Sequence, residues 1–442
     1  MKTIKKILKV LGLGVTALGG IAILLLIGLV AYFIIAAPES PIVDDSDLRI
    51  EEPPIPDEEN AYLAFIAATN HFEFSSEDGM RSWKYLKKDR GEFAEHSEID
   101  RMLNEHEAAF LAIERIGQMN AYRLVPTSNV FGAYFPPISA MMRMNNLCLV
   151  KALRSIECGD YDTAFRTLYD LQNFFSLCTE NASTLVEFLV GIGTSGSSCE
   201  MFATLANADG VSDEMLEKIA NRLETEFDEP SLFERTYKCE YQNYGSKFLD
   251  DVVNVQGLSK ELRLFPISFA FSPGMTRLLI VNAIRDELSG KRSQVTIPET
   301  VNYLQPNWAG YLALRALMPT FDAFRDAFKK YRLATRTART AVAVIRYARA
   351  HDGQSPQALS ELVPTYLNEV PRDPFDQERE LGYDREKGIV WSVGKDGDFD
   401  PLAETIASYY SFNRNMEKYA RRIDGKPIEM RKLSNRKIKK TK

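Results

Sequence analysis

Hydrophobic positions along the chain follow three rhythms. From Val10 to Ala37 there are 28 consecutive residues without a charge. At ~1.5 Å per residue a helix of that length more than crosses a ~30 Å hydrocarbon core, so the run predicts a single membrane span over 10–37. From Ala61 to about Tyr331 apolar residues recur at helical spacing, as in Phe110, Ile113 and Ile116, or Met215, Ile219 and Leu223. Breakers at Pro126, Pro136-Pro137, Gly159-Asp160, Asp209-Gly210, Pro230, Pro266, Pro273 and Pro319 divide this stretch into short helices. FPISFAF (265–271) is its main strand-like run. The third rhythm belongs to the best-patterned helix, between Phe321 and Ala350. Ala334, Ala338, Ala341, Ile345 and Ala348 share one face, and Arg332, Arg336, Arg339 and Arg346 the opposite one. That pattern predicts a packed helix with a solvated basic side, the alternative being a surface for a partner or for lipid headgroups. Gly353 and Pro356 supply the stop.

Charge refines this organisation. The net charge is −7 over 442 residues, which argues against a dedicated nucleic-acid binder. Its distribution is uneven. Residues 1–9 hold four lysines and no acid, whereas 38–60 hold five prolines, nine acids and one arginine. Residues 418–442 carry 11 Lys and Arg against Asp424 and Glu429. Lysine before the span and acid after it place 1–9 in the cytoplasm and the bulk of the chain outside. The 10–37 run exceeds a cleavable signal peptide's apolar core of about 7–15 residues, and Pro38 obstructs cleavage after Ala36-Ala37. The acidic stretch 38–60 cannot bury a core and reads as an extended, self-repelling tether.

Mainly α architecture follows: a basic end (1–9), an anchor in the lipid bilayer (10–37), a tether (38–60), an irregular helical ectodomain (61–330), a small α+β region (331–402) with a short antiparallel sheet, and a basic tail (403–442). Within the ectodomain, residues 148–175 resemble a single tetratricopeptide-type hairpin turning at Gly159-Asp160-Tyr161. No second copy follows at a ~34-residue period, so a regular solenoid is not expected.

The end of the ordered chain has more specific residues. His351-Asp352-Gly353 and Ser355-Pro356 are followed by LSELVPTYLNEVPRDPFD (359–376), Tyr383 and WSVGKDGDFD (391–400). This segment resembles the C-terminal domain of the type II secretion major pseudopilin: a long helix, a turn, a leucine-rich short helix, Asp-Pro-aromatic, then a small antiparallel sheet ending in Ser-apolar-Gly-x-Asp-Gly. The similarity spans about 70 residues, roughly 334–400. The chain lacks that family's prepilin-peptidase site, with LGLGVTALGG (11–20) and no acid within the span, and it interposes a long helical region between anchor and sheet. The resemblance therefore implies a local fold rather than a place in the secretion machine. It also implies calcium binding in the terminal loop, where Asp396, Asp398 and Asp400 alternate and offer hard carboxylate oxygens. Pro401 occupies the position where an EF-hand needs its glycine.

Other motifs have structural explanations. Gly191-Ile-Gly193-Thr-Ser-Gly196 matches G-x-G-x-x-G, but residues 212–226 read as a helix where a dinucleotide fold requires a second strand; close helix packing is the expectation. GTSGS departs from the G-x-S-x-G nucleophile pattern at Ser197. The four histidines (71, 96, 106, 351) have no metal-binding spacing. Five cysteines without CxxC spacing read as buried small apolar residues. With no catalytic constellation, the sequence points to a non-enzymatic binding or structural component of the bacterial cell envelope. It would sit in the cytoplasmic membrane and engage an envelope protein or surface polymer. An accessory of a secretion or pilus-like system and a membrane-anchored hydrolase are the alternatives.

Overall fold

The computed structural model describes residues 41–73, 75–87, 96–124, 137–246, 267–290, 305–386, 388–394 and 420–422, together with Gly28, Tyr32 and Leu249. Among them are twelve α-helices: α1 (Ala61–Ala68), α2 (Ser76–Lys87), α3 (His96–Glu105), α4 (Glu107–Gly117), α5 (Ile138–Glu157), α6 (Tyr161–Glu180), α7 (Leu185–Ala206), α8 (Asp213–Glu224), α9 (Glu229–Glu240), α10 (Ile267–Ala270), α11 (Pro273–Leu288) and α12 (Trp308–Ala350). The chain divides into two compact units. The first comprises Met1–Glu52, Thr127–Tyr134 and Phe233–Ala323; the second comprises Pro53–Pro126, Phe135–Leu232 and Phe324–Lys442.

In the second unit, α6 packs against α4, α5 and α7. The α5–α6 hairpin turns where its sequence indicates. Gly159 adopts φ +78°, and the Asp160 carboxylate caps α6 by accepting from Thr163 N at 3.1 Å. Aromatic rings fill the interior: Phe65 lies 5.7 Å from Phe72 and 5.3 Å from Phe174, and Phe188 lies 4.1 Å from Phe324. The G-x-G-x-x-G segment lies inside α7. A Cβ at Gly191 would collide with Thr179 Oγ1 on α6, and one at Gly196 would touch Ala334 on α12. These glycines admit neighbouring helices, as expected.

Helix α12 departs from expectation in two ways. It continues through Pro319, which reads as a breaker. A single lost backbone bond costs about 3 kcal/mol, while Leu314, Phe321, Phe324 and Phe328 are all fully buried around it. Its middle is also enclosed nearly all round, with Leu333, Thr335, Thr337, Ala338 and Thr340 to Val344 buried. Leu333, Ala343 and Val344 join Leu359, Leu362, Leu367, Leu381 and Val390 in the core of the C-terminal cap. The leucine-rich segment is a 3-10 turn, Leu359–Leu362. After it, β1 (Gly382–Asp384) pairs antiparallel with β2 (Ile389–Trp391), and β3 (Ala420–Arg422) pairs antiparallel with β2 on its other edge. The helix ends as its sequence indicates: Gly353 takes φ +82° and donates its N–H to Ala348 O at 2.8 Å.

In the first unit, the described part of FPISFAF is not a strand; Ile267–Ala270 is one helical turn leading into α11. The acidic stretch 41–52 is likewise not a free tether. Leu48 is buried, Arg285 binds Asp47, Arg235 pairs with Glu52, and Ile50 N donates to Gln242 at 2.9 Å. Three of its acids, Asp45, Asp47 and Glu52, which would repel one another in isolation, are each matched by an arginine from much later in the chain. No helix among the described residues is long and apolar enough to cross a membrane. The predicted anchor at 10–37 lies outside the described residues except for Gly28 and Tyr32, and so do 1–9 and all of 403–442 except 420–422.

Candidate functional site

The arginine face of α12 is not solvated. Arg336 forms a two-pronged bond to Glu226, Nε to Oε1 at 2.9 Å and Nη2 to Oε2 at 3.0 Å, and its Nη1 donates to Arg372 O at 2.7 Å. Arg332 donates to Glu229 at 2.5 Å, Arg339 Nη2 lies 3.9 Å from Glu226, and Arg349 donates to Val211 O at 2.5 Å. The Arg346 guanidinium lies 5.7 Å from the Tyr366 ring centre. A basic stripe without nearby acids in sequence looks solvated because its partners are about a hundred positions away. Here it joins the α8–α9 connection and the cap to one helix. Forked arginine–carboxylate geometry of this kind gives directional as well as energetic definition.

The cap is tied by one carboxylate. Asp373 is fully buried and accepts three hydrogen bonds: Phe375 N and Ser392 Oγ to Oδ1, both at 2.8 Å, and Val393 N to Oδ2 at 2.7 Å. Ser392 Oγ in turn accepts from Gly394 N at 3.0 Å. The Asp-Pro-Phe and Trp-Ser-Val-Gly segments, twenty residues apart, are thus one hydrogen-bonded unit. With both oxygens engaged, Asp373 has no oxygen aimed at a ligand. Asp396, Asp398 and Asp400 lie outside the described residues. No cluster of metal-ligating side chains occurs among the described ones.

Two further carboxylates lie in the helical bundle. Glu187, fully buried, accepts from the Tyr122 hydroxyl at Oε1 and from Ser183 N at Oε2, 2.8 Å. Its own N–H donates to Thr184 Oγ1 at 3.0 Å, completing a Thr-x-x-Glu capping arrangement at the start of α7. Burial holds the Tyr122 phenol and Cys178 thiol well above their usual pKa ranges, so both stay protonated. Asp170 is handled differently. Gly117, the last residue of α4, packs so closely on it that a Cβ there would collide with the Asp170 backbone. No hydrogen bond from a described residue reaches its carboxylate. Burial, then the Glu114 charge, pushes its pKa up to about 6, partly offset by Arg166. Nearby Lys151, with Nζ 4.0 Å from the Phe110 ring centre, has its pKa lowered by burial.

The remaining candidates do not converge. His106 bridges two backbone carbonyls, Met102 O at 2.8 Å and Glu73 O at 3.2 Å. His96 lies 3.6 Å from Glu157, and His351 stacks on Tyr347 with ring centres 3.9 Å apart. Ser195 Oγ is buried without a hydrogen-bond partner, so the GTSGS serine has no base. None of the five cysteines forms a disulfide; four are buried as expected and Cys158 is exposed. Sequence reasoning missed Asp170 and Glu187. The Thr184-x-x-Glu187 spacing marks the latter as a helix start, whereas nothing local marks Asp170.

No protein-family model, curated protein or solved structure matches this chain.

Proposed function

We propose that the chain is a non-catalytic binding or structural component of the bacterial cell envelope. It is anchored through residues 10–37 in the cytoplasmic membrane with its bulk outside, and engages an envelope protein or surface polymer. The observation that carries this reading is how three buried or half-buried acids are used. Glu226, Glu187 and Asp373 each have both carboxylate oxygens engaged by groups of the same chain. Polar chemistry of this kind builds a rigid scaffold, whereas a general acid or base needs an oxygen facing substrate. Photo-crosslinkers at exposed Leu111 on α4 and at His351 beside the cap test it in membranes. A discrete adduct with an envelope protein or polymer supports the reading. Turnover of an envelope polymer by the purified chain, abolished by an Asp170→Asn change, overturns it in favour of a hydrolase.

The union of Asp-Pro-Phe with Trp-Ser-Val-Gly through Asp373 favours one second reading, an accessory of a secretion or pilus-like system acting through the cap. Adducts at His351 with pseudopilins would select it. Calcium, when bound, would be held by Asp396, Asp398 and Asp400, immediately after the pinned Gly394. A rise in melting temperature with millimolar calcium, lost on replacing the three aspartates by asparagine, is the expected result.

A further inference from the structure

We propose that the edge of the first unit built over buried Phe269 and Asn307, where Trp308, Tyr311 and Leu312 reach the surface, is lipid-contacting and lies in the headgroup–acyl boundary beside the membrane span. This inference rests on the proposed anchor at 10–37 and extends membrane contact to residues more than two hundred positions away.

Three observations carry it. Tyr32 belongs to the uncharged run, and its ring lies 5.7 Å from that of Phe269. A residue of the anchor segment therefore contacts the α10 turn directly. Second, Asn307 joins the start of α12 to the same edge. In the left-handed region at φ +58°, it donates its N–H to Phe269 O at 2.6 Å. Its Oδ1 accepts from Ser272 N at 2.8 Å and Thr276 Oγ1 at 3.0 Å. Gly310 lies so close to Thr276 and Asn307 that a Cβ would collide with both. Third, both segments meeting there are free of charge: Leu264 to Thr276, and Gln305 to Leu314. They present half-buried Phe271, Met275, Trp308 and Tyr311 and exposed Leu312. Tryptophan and tyrosine favour the membrane–water boundary, where an apolar ring and a polar edge are both accommodated.

The path of the chain agrees with this placement. Ala37 and Asp45 are eight positions apart and so lie at most about 29 Å from one another. Asp45 then pairs with Arg277 at 3.3 Å, near the start of α11, and Asp47 with Arg285 at 2.5 Å, near its end. The chain leaving the predicted span runs along α11 in the same direction as that helix. Helix α11 has 16 residues, about 24 Å; its last turn holds Arg285, Asp286 and Glu287, and exposed Ser289 is its C-cap. Its apolar beginning is thus the end near the membrane and its charged finish the end away from it.

The full chain reconstituted into phosphatidylcholine–phosphatidylglycerol vesicles, with or without brominated acyl chains, tests the proposal. An environment-sensitive fluorophore is placed on Leu312→Cys or on Ser289→Cys, each in a Cys158→Ser background that removes the exposed native thiol. Bromolipid is expected to reduce emission about twofold or more at 312 and by less than about a tenth at 289. In the unlabelled chain it should quench tryptophan emission, and Trp308→Phe should remove most of that quenching. Equal or absent quenching at both positions, in protein that resists alkaline extraction, overturns the proposal while leaving the anchor intact. Self-quenching at 312 that grows with protein density, without bromolipid quenching, also overturns it and assigns the edge to a second copy. Release by alkaline extraction indicts the anchor itself, and is read separately from the fluorescence.

Discussion

The cap and the helical bundle of the second unit each withdraw an aspartate from water, and they treat it in opposite ways. In the cap, Asp373 accepts from two backbone N–H groups and a serine hydroxyl, so its burial is matched donor by donor. In the bundle, Asp170 lies against the last residue of α4, near Glu114, with no hydrogen bond from a described residue. The carbonyl end of a helix and a second carboxylate both disfavour a negative charge. The first arrangement makes an acid a structural tie. The second leaves an acid that costs stability whenever it is ionised.

Substitution of the two should therefore have opposite signs. Asp373→Ala leaves half-buried N–H groups at Phe375 and Val393, and the buried Ser392 hydroxyl, without their acceptor and should lower unfolding free energy by about 3 kcal/mol, read from the denaturant midpoint. A loss under about 1 kcal/mol would show that water replaces the carboxylate there and would erase the contrast. Arg336→Ala, which removes the forked bond to Glu226, should cost about 2 kcal/mol, and Arg336→Lys should recover only part of it. Equal stability of lysine and arginine would reduce that clamp to a simple charge contact. Gly191→Ala should destabilise by about 1–3 kcal/mol through collision with Thr179, whereas Gly193→Ala, with open space around it, should stabilise by about 0.5–1 kcal/mol. Matching effects at both would contradict a packing role for the first glycine.

The smallest and most diagnostic effect belongs to Asp170. Because its folded pKa of about 6 lies above the ordinary aspartate value of 3.8, the folded state between those values holds a proton that the unfolded chain has released. Stability contributed by this group is therefore complete below pH 3.8, falls as pH rises toward about 6, and stays reduced above it. Asp170→Asn should then raise stability at pH 7 by about 1–2 kcal/mol, allowing for partial exposure, with the gain vanishing in acid. Glu114→Gln should give a smaller gain of the same sign. A melting temperature for Asp170→Asn equal to that of the parent chain across this range would refute the assignment.

Much of the local architecture was legible in the chain. Gly159-Asp160 marks a helical turn that Asp160 then caps, and Gly353 closes α12 with a positive φ. The crowded glycines of α7 follow from a G-x-G-x-x-G run with no strand beside it. The candidate sites were less legible. Asp373 and Ser392 lie in the segments that resemble a pseudopilin cap, yet only the fold shows that one carboxylate joins them. Nothing near Asp170 in sequence announces its environment, because α4 and α6 supply that environment together.

By itself, the sequence determined whatever depends on neighbours within a few turns: helix periods, caps and stops, the uncharged run over 10–37, and the separation of acidic from basic segments. The tertiary structure decided how charges pair. Arg336 finds Glu226 across 110 positions, and Arg277 finds Asp45 across 232. A charge becomes a solvated surface, a clamp or a strained acid according to what lies within about 4 Å of it in space, because Coulomb attraction and desolvation both depend on local geometry. That is why a basic stripe became an internal clasp, an acidic tether became a docked segment, and two aspartates in one unit came to oppose each other in their effect on stability.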